Sequence, residues 1–237
     1  MKEPNLRIPT ATSARRRSQP EDRESRGSQR PSTERNEASP HYTPDGHVPR
    51  IQAAEAAAGR GALIVGLVFD RGVLLGARYV PFGGDPLPAF FGKNTSNLRG
   101  GKVLRVGPRL ALAGTGLMGD FAAVGRHMRG RRFSSTQVAV DFLASLFWEH
   151  TIRHDTRILG TFVLLGSTLD GDARLFGFSP SGSIHEYVAC ARGRGSRPVQ
   201  ERLSKNYRPR TQRHAETIAV ECLGHPNAYE LVAVRLA

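Results

Sequence analysis

Cysteine is scarce in this chain. Cys190 and Cys222 are the only two in 237 residues, and no CxxC pair occurs. That excludes a cysteine-built zinc site and a dithiol redox motif. Each lies in an apolar run, so both read as reduced core residues of a protein from a reducing compartment. Long apolar runs are also missing. None approaches the roughly 20 residues needed to cross a bilayer, so no membrane span is expected. The N-terminus has no apolar signal core, and its arginines are interspersed with Glu and Asp, unlike an organelle transit peptide. Aromatic residues make up 7% of the chain, which counts against a nucleic-acid module built on stacking.

Positive charge, in contrast, is in excess. The chain has 34 Lys and Arg against 21 Asp and Glu, a formal net charge of +13. Residues 1–50 hold ten Lys/Arg and seven Asp/Glu, a net of only +3, so +10 falls on the remainder. A basic surface of this size implies an anionic partner, either nucleic acid or an acidic protein neighbour. Residues 1–41 are rich in Arg, Ser, Pro and Glu and poor in apolar residues. They cannot offset the entropy of ordering and read as a disordered extension. Its Arg15-Arg16-Arg17 cluster reads as part of a solvated tail rather than a nuclear-import signal.

Order is expected from Tyr42. YTPDGH (42–47) carries turn chemistry in Pro44 and Asp45-Gly46. IQAAEAAAGRG (51–61) reads as a short helix stopped by its glycines. Strands follow at 62–69 and 73–79 around Asp70-Arg71-Gly72, whose glycine suits a positive φ. Residues 81–101 hold three Pro and five Gly and read as an irregular loop. Strands at 102–106 and 110–116 form a second hairpin. Helices are expected at 118–129 and 135–152. In the second, Ser134 or Ser135 would be the cap, and Val138, Phe142, Leu146 and Trp148 the core-facing stripe. Strands at 160–167, 173–178 and 184–191, helices at 197–206 and 213–223, and a strand at 229–236 complete the chain. Hairpin blocks separated by helix pairs predict an α+β fold. It would be a four-layer αββα sandwich, two antiparallel sheets packed face to face and flanked by helices.

That order is the one found in N-terminal-nucleophile hydrolases. YTPDGHVPRIQAAEAAAGRGALIVGL (42–67) is similar to the opening of proteasome α subunits, with an aromatic-Ser-Pro-Asp/Glu-Gly turn, a helix and a Val-Gly strand. DRGVLLGA, KVLRV, GLMGD and LDGDARLFGFSPSGSIHEYVACARGRGS resemble later family segments in the same order. The resemblance covers residues 42–237 and divides the chain into the extension 1–41 and a proteasome-subunit-like domain, whose residues 42–61 form the N-terminal turn and helix.

In catalytic β subunits, as the resemblance implies, an N-terminal threonine attacks the peptide carbonyl with its own amine as base. Its position here is Ala62. The family's acidic partner falls at Arg78 and its supporting serine at Arg194, leaving only Lys102. No catalytic residue, peptidase activity, cofactor or metal is therefore expected. In α subunits the lysine matching Lys102 pairs with the C-terminal carboxylate of an activator, in a pocket bordered by residues matching Gly116 and Leu117. The alternative is a strand-edge surface lysine. Tyr42, Pro44, Asp45 and Gly46 match the N-terminal turn near the ring gate. The gate tyrosine falls at Ala53, and the family's Tyr-Asp pair at Arg35 and Asn36. The 81–101 loop is longer than usual, and no further helix or acidic tail of the α type follows the last strand.

The resemblance thus implies a non-catalytic α-type subunit that gates the core particle in ATP- and ubiquitin-dependent degradation, in cytoplasm and nucleus. Its partners would be other α and β subunits in a stack of heptameric rings, with the C-termini of a regulatory particle or activator and no membrane or nucleic acid. The alternative is an inactive β-type subunit with residues 1–61 as propeptide, since GTGLMGD also resembles some β members. Three further motifs have plainer readings. Glu149, His150 and His154 (EHTIRH) lack the HExxH order of a metallopeptidase and read as a helix end. RGRGS (192–196) reads as a turn before a helix rather than a phosphate cradle. RHMRGRR (126–132) reads as basic charge at a helix C-terminus.

Overall fold

A computed structural model describes residues 43, 47–78, 101–153, 155–208, 210–224 and 229–236. The extension 1–41, the turn residues Tyr42, Pro44, Asp45 and Gly46, nearly all of the 81–101 loop and His154 lie outside the described residues.

Helix α1 (Pro49–Arg60) starts with proline in its first turn, where the missing N–H costs nothing, and runs through alanines. Strands β1 (Ile64–Phe69) and β2 (Gly72–Arg78) form a hairpin. Gly72 does not take a positive φ. It belongs to β2 opposite Arg235, where an added Cβ would lie 2.1 Å from the Val234 carbonyl oxygen. Strands β3 (Val103–Gly107) and β4 (Leu110–Gly116) form the second hairpin. Helices α2 (Met118–Met128) and α3 (Thr136–Ile152) follow, the latter capped by the Ser135 hydroxyl, which accepts from Val138 N. The remaining elements are β5 (Thr161–Ser167), β6 (Arg174–Phe178), β7 (Ile184–Tyr187), β8 (Ala189–Arg192), α4 (Ser196–Asn206), α5 (Gln212–Leu223) and β9 (Tyr229–Arg235).

The sheets are β8-β1-β2-β9 and β3-β4-β5-β6-β7, each with antiparallel pairing throughout. Three apolar clusters make the four layers. Leu110, Leu112, Val163 and Leu165 face α2 and α3, where they meet Phe121, Leu143 and Phe147. Ile64, Val73, Leu75, Ala111, Ala113 and Leu164 fill the space between the sheets. Val65, Leu67 and Leu74 pack against Leu203, Ala215, Ala219 and Leu223 of α4 and α5. Central strands buried on both faces read as continuous apolar runs rather than alternating ones. The expected αββα sandwich is the fold observed.

Two further expectations need correction. The predicted strand 184–191 is two strands in different sheets: the chain leaves β7 at Tyr187 and enters β8 at Ala189. Exposed Val188 is the crossing point, its carbonyl bonded to Val68 N at 2.9 Å. The face of α3 is also rotated from the one expected. Val138 and Trp148 are 47% and 60% exposed. The buried stripe is Thr136, Ala139, Val140, Leu143 and Phe147, with Phe142 and Leu146 on its flank. The two cysteines are free and buried, as expected. Burial pushes the Cys190 thiol up to about 12, so it stays protonated and unreactive.

Candidate functional site

The end of the sandwich where β1 begins is the place at which a hydrolase of this architecture would carry its nucleophile. Helix α1 ends at Arg60, and Gly61, Ala62 and Leu63 connect it to β1. An added Cβ at Gly61 would sit 2.1 Å from Gly116 N and 2.3 Å from Thr115 Oγ1, so only glycine permits this approach. Ala62 follows. Its carbonyl accepts a hydrogen bond from Thr115 Oγ1 at 2.7 Å. Gly61 O accepts from Arg194 N at 2.7 Å. From the other side Gly193, with φ +99°, packs so closely that a Cβ there would lie 2.5 Å from Ala62 O. The segment is a continuous backbone gripped from two directions. It offers neither a hydroxyl nor a free amine for attack.

The two arginines that stand in place of catalytic partners have structural work instead. Arg78 Nε donates to Leu223 O at 2.7 Å and Nη2 to Cys222 O at 3.5 Å, at the C-terminal end of α5. Arg194 Nη2 donates to Arg60 O at 3.2 Å, at the C-terminal end of α1. Helix C-termini leave carbonyls unpaired and carry partial negative charge, so a guanidinium suits both places. An acid at 78 would be repelled there. The glycines of RGRGS serve the turn that brings Arg194 and Gly193 against Ala62, and Gly195 is the N-cap of α4.

Helix α1 packs on β4 and β5. Ala58 is buried and belongs to the cluster between the sheets. The Ala58 Cα would be 2.8 Å from a Cβ added at Gly116, and the Ala57 methyl 3.3 Å from one added at Gly160. The helix thus packs at the end of the sandwich beside Ala62. Ala53 of this helix is exposed.

Lys102 immediately precedes β3. Its carbonyl accepts from Gly114 N at 2.9 Å, which places it two residues along the ladder from Gly116. Lys102 N and Val103 N both donate to Glu230 Oε2, at 3.0 and 3.2 Å. Burial lowers the Lys102 ammonium pKa below its ordinary value, and attraction to Glu230 opposes the shift. Burial likewise raises the Glu230 carboxyl, against the two backbone N–H groups and Lys102. Gly116 closes β4 with φ +108°. Leu117 is the N-cap of α2, donates its N–H to Gly160 O at 2.8 Å, and is 44% exposed. Lys102, Gly116 and Leu117 therefore share one end of the β3–β4 hairpin. The junction is fixed by buried Asp120, which accepts from Gly160 N at 2.8 Å and from both terminal nitrogens of Arg157.

Thr115, Glu230 and Asp120 were not foreseen as site residues. Thr115 had a signal, being the one hydroxyl in the apolar strand LALAGTG. Glu230 had none, because its role depends on β9 lying beside β2, with Glu230 opposite Ala77. Among the described residues no three His, Cys, Asp or Glu converge to hold a metal ion, and no helix is long and apolar enough to cross a membrane. His150 Nδ1 lies 3.0 Å from Arg157 O. At the end of RHMRGRR, Arg131 Nε donates to His127 O at 3.1 Å, in the last turn of α2.

Residues 59–227 match the family model described as proteasome subunit. A proteasome subunit alpha type-7 from Caenorhabditis elegans is 28% identical over 176 residues, 70% of this chain and 66% of that protein. Proteasome subunit alpha type-7-1A from Drosophila melanogaster is 30% identical, over 70% of this chain and 67% of its own length. An archaeal proteasome subunit alpha, from Methanoculleus marisnigri, is 26% identical over 70% and 69%. The chain spans about two thirds of the length of these relatives. The four-layer fold and the match over residues 59–227 agree, and the chain belongs to the proteasome subunit family.

Proposed function

We propose that this chain is a non-catalytic α-type subunit of a proteasome core particle. It would build the outer ring with other α subunits, stack on β subunits that cut, and serve ATP- and ubiquitin-dependent protein degradation in cytoplasm and nucleus. The observation that carries this reading is the state of Ala62. It is an internal residue locked by Thr115 and Gly193, with α1 packed beside it. Peptide-bond attack by an N-terminal residue needs a hydroxyl or thiol and a free amine, and this position supplies neither. The alpha subunit names of the relatives support the same assignment.

The Lys102 end of the β3–β4 hairpin is proposed as the activator contact. A half-buried ammonium at the same end of the hairpin as the exposed Leu117 suits a carboxylate at the end of a peptide. Glu230 partly neutralises that ammonium, so its pull on an incoming carboxylate is moderated. The test is activator binding to assembled particles carrying Lys102→Ala. Binding weakened by about tenfold or more supports the contact, and unchanged binding removes it. Peptidase activity that follows this chain alone, apart from any β subunit, would overturn the non-catalytic assignment.

A further inference from the structure

A cleft lies between α1 and the β6–β7 hairpin. Its volume is about 300 Å³, and Glu55, Phe162, Ser179, Ser183, Tyr187 and Arg192 carry its chemistry. That volume is at the lower end of the range for small-molecule sites, about 300–1,000 Å³.

Arg192 supplies a permanent cation to the cleft, which His185 also lines. Its Nη2 donates to Tyr187 Oη at 3.2 Å and its Nη1 to Ala191 O at 3.1 Å. The guanidinium carbon lies 5.2 Å from the Phe162 ring centre and 5.7 Å from that of Tyr187. Those contacts fix its plane and leave donors uncommitted, because a guanidinium carries five N–H groups. No acidic side chain among the described residues forms an ion pair with it. On the α1 side, Glu55 Oε1 accepts from Ser181 N at 3.2 Å, which ties the helix to the hairpin turn and fixes the carboxylate. Glu55 and Arg192 therefore line one cavity with opposite charges and do not meet. Half-buried charges left apart in this way are best satisfied by a group that reaches both.

The hairpin adds hydroxyls. Ser179 Oγ and Ser181 Oγ are 2.6 Å apart, and Ser181 Oγ and Ser183 Oγ 3.1 Å. Three hydroxyl protons serve two bonds, so one remains to donate. Phe162, Tyr187 and Ala58 give the cleft an apolar wall.

We infer that this cleft binds a small zwitterion, an α-amino acid with an apolar side chain, whose carboxylate pairs with Arg192 and whose ammonium pairs with Glu55. The Ser179 and Ser183 hydroxyls, which line the cleft, complete the carboxylate's hydrogen bonds, and the side chain lies against Phe162 and Tyr187. Neither Lys102 nor Leu117 lines this cleft, although Thr115 and Gly193, which grip Ala62, are among its walls, and its test does not depend on peptidase activity or ring assembly.

The test is calorimetric titration of the folded full-length chain with L-leucine, sodium acetate and isobutylamine as probes. L-leucine should bind saturably, with acetate and isobutylamine each weaker by about tenfold or more. Arg192→Gln and Glu55→Gln should each weaken leucine by a similar factor. Glutamine at 55 keeps an acceptor for Ser181 N–H, so that variant holds the hairpin even where Arg192→Gln fails to fold. Thermal melts of both variants identify any loss of fold. Absence of saturable leucine binding would overturn the inference. So would acetate binding as tightly as leucine, or leucine affinity unchanged in folded Glu55→Gln.

Discussion

Thr115 Oγ1 donates to the carbonyl oxygen of Ala62 across 2.7 Å, from a side chain that is almost wholly buried. The bond joins the end of β4 to a residue two positions before β1, the position that the family resemblance matches to the nucleophile of catalytic members. Thr115→Ala should therefore destabilise the chain by about 1–3 kcal/mol, the cost of orphaning a part-buried carbonyl. Thr115→Ser, which keeps the hydroxyl, should recover most of that. Chemical denaturation of the two variants measures the difference.

Restoring a threonine at position 62 should not restore cutting. Arg78 and Arg194 hold the ends of α5 and α1, and α1 packs beside Ala62. Ala62→Thr combined with Arg78→Asp should show no cleavage after Gly61 by intact mass, and fluorogenic-peptide turnover at background. Arg78→Asp alone should lower stability more than Arg78→Ala does. The alanine variant loses charge-assisted bonds worth about 1.5–3 kcal/mol, and the aspartate also places negative charge on a helix C-terminus.

Glu230 gives a pH dependence with a definite sign. Burial raises its pKa above the ordinary glutamate value, with the Val103 and Lys102 N–H groups opposing. The fold therefore favours the protonated acid more than the unfolded chain does. Its contribution is fully present below the ordinary value and is lost as pH rises through the raised one. Glu230→Gln keeps an acceptor for those N–H groups but does not titrate. The variant should gain stability relative to the parent chain as pH climbs through that window, in melts run at a series of pH values.

Asp120 clamps the start of α2 to Gly160 and Arg157. Asp120→Ala should cost about 1–3 kcal/mol, because Gly160 N–H loses its acceptor and the ion pair is lost. Asp120→Asn keeps an acceptor and should cost less. Leu117 N also bonds Gly160 O, so the alanine variant should loosen the Leu117 end of the proposed activator contact. Hydrogen exchange at Leu117 reads that directly.

The element order and sandwich were legible because apolar runs bounded by turn residues mark the strands of both sheets. β4 occupies the expected 110–116, and the other element ends lie within about two residues of expectation. The β7–β8 crossing was hidden, because Val188 continues the pattern of IHEYVACA without a glycine or proline to mark the break. The face of α3 was misread because the helix carries apolar groups on more than one side. Thr136 and Ala139 pack against the sheet, and the large Trp148 faces out. At the site, Ala62, Arg78 and Arg194 could be placed by position alone. What the arginines bind could not, since α5 and α1 reach them only through tertiary packing. Glu230 is distant from Lys102 in sequence, and it is brought near by β9 pairing with β2 and packing against β3 of the other sheet.

The most direct measurement is the intact mass of this chain released from natively purified proteasome particles, read beside the identities of its neighbours. The expected result is a chain that retains residues 1–61 and sits among other α subunits and β subunits. A chain that begins at Ala62, or one absent from any such particle, would contradict the α-type assignment.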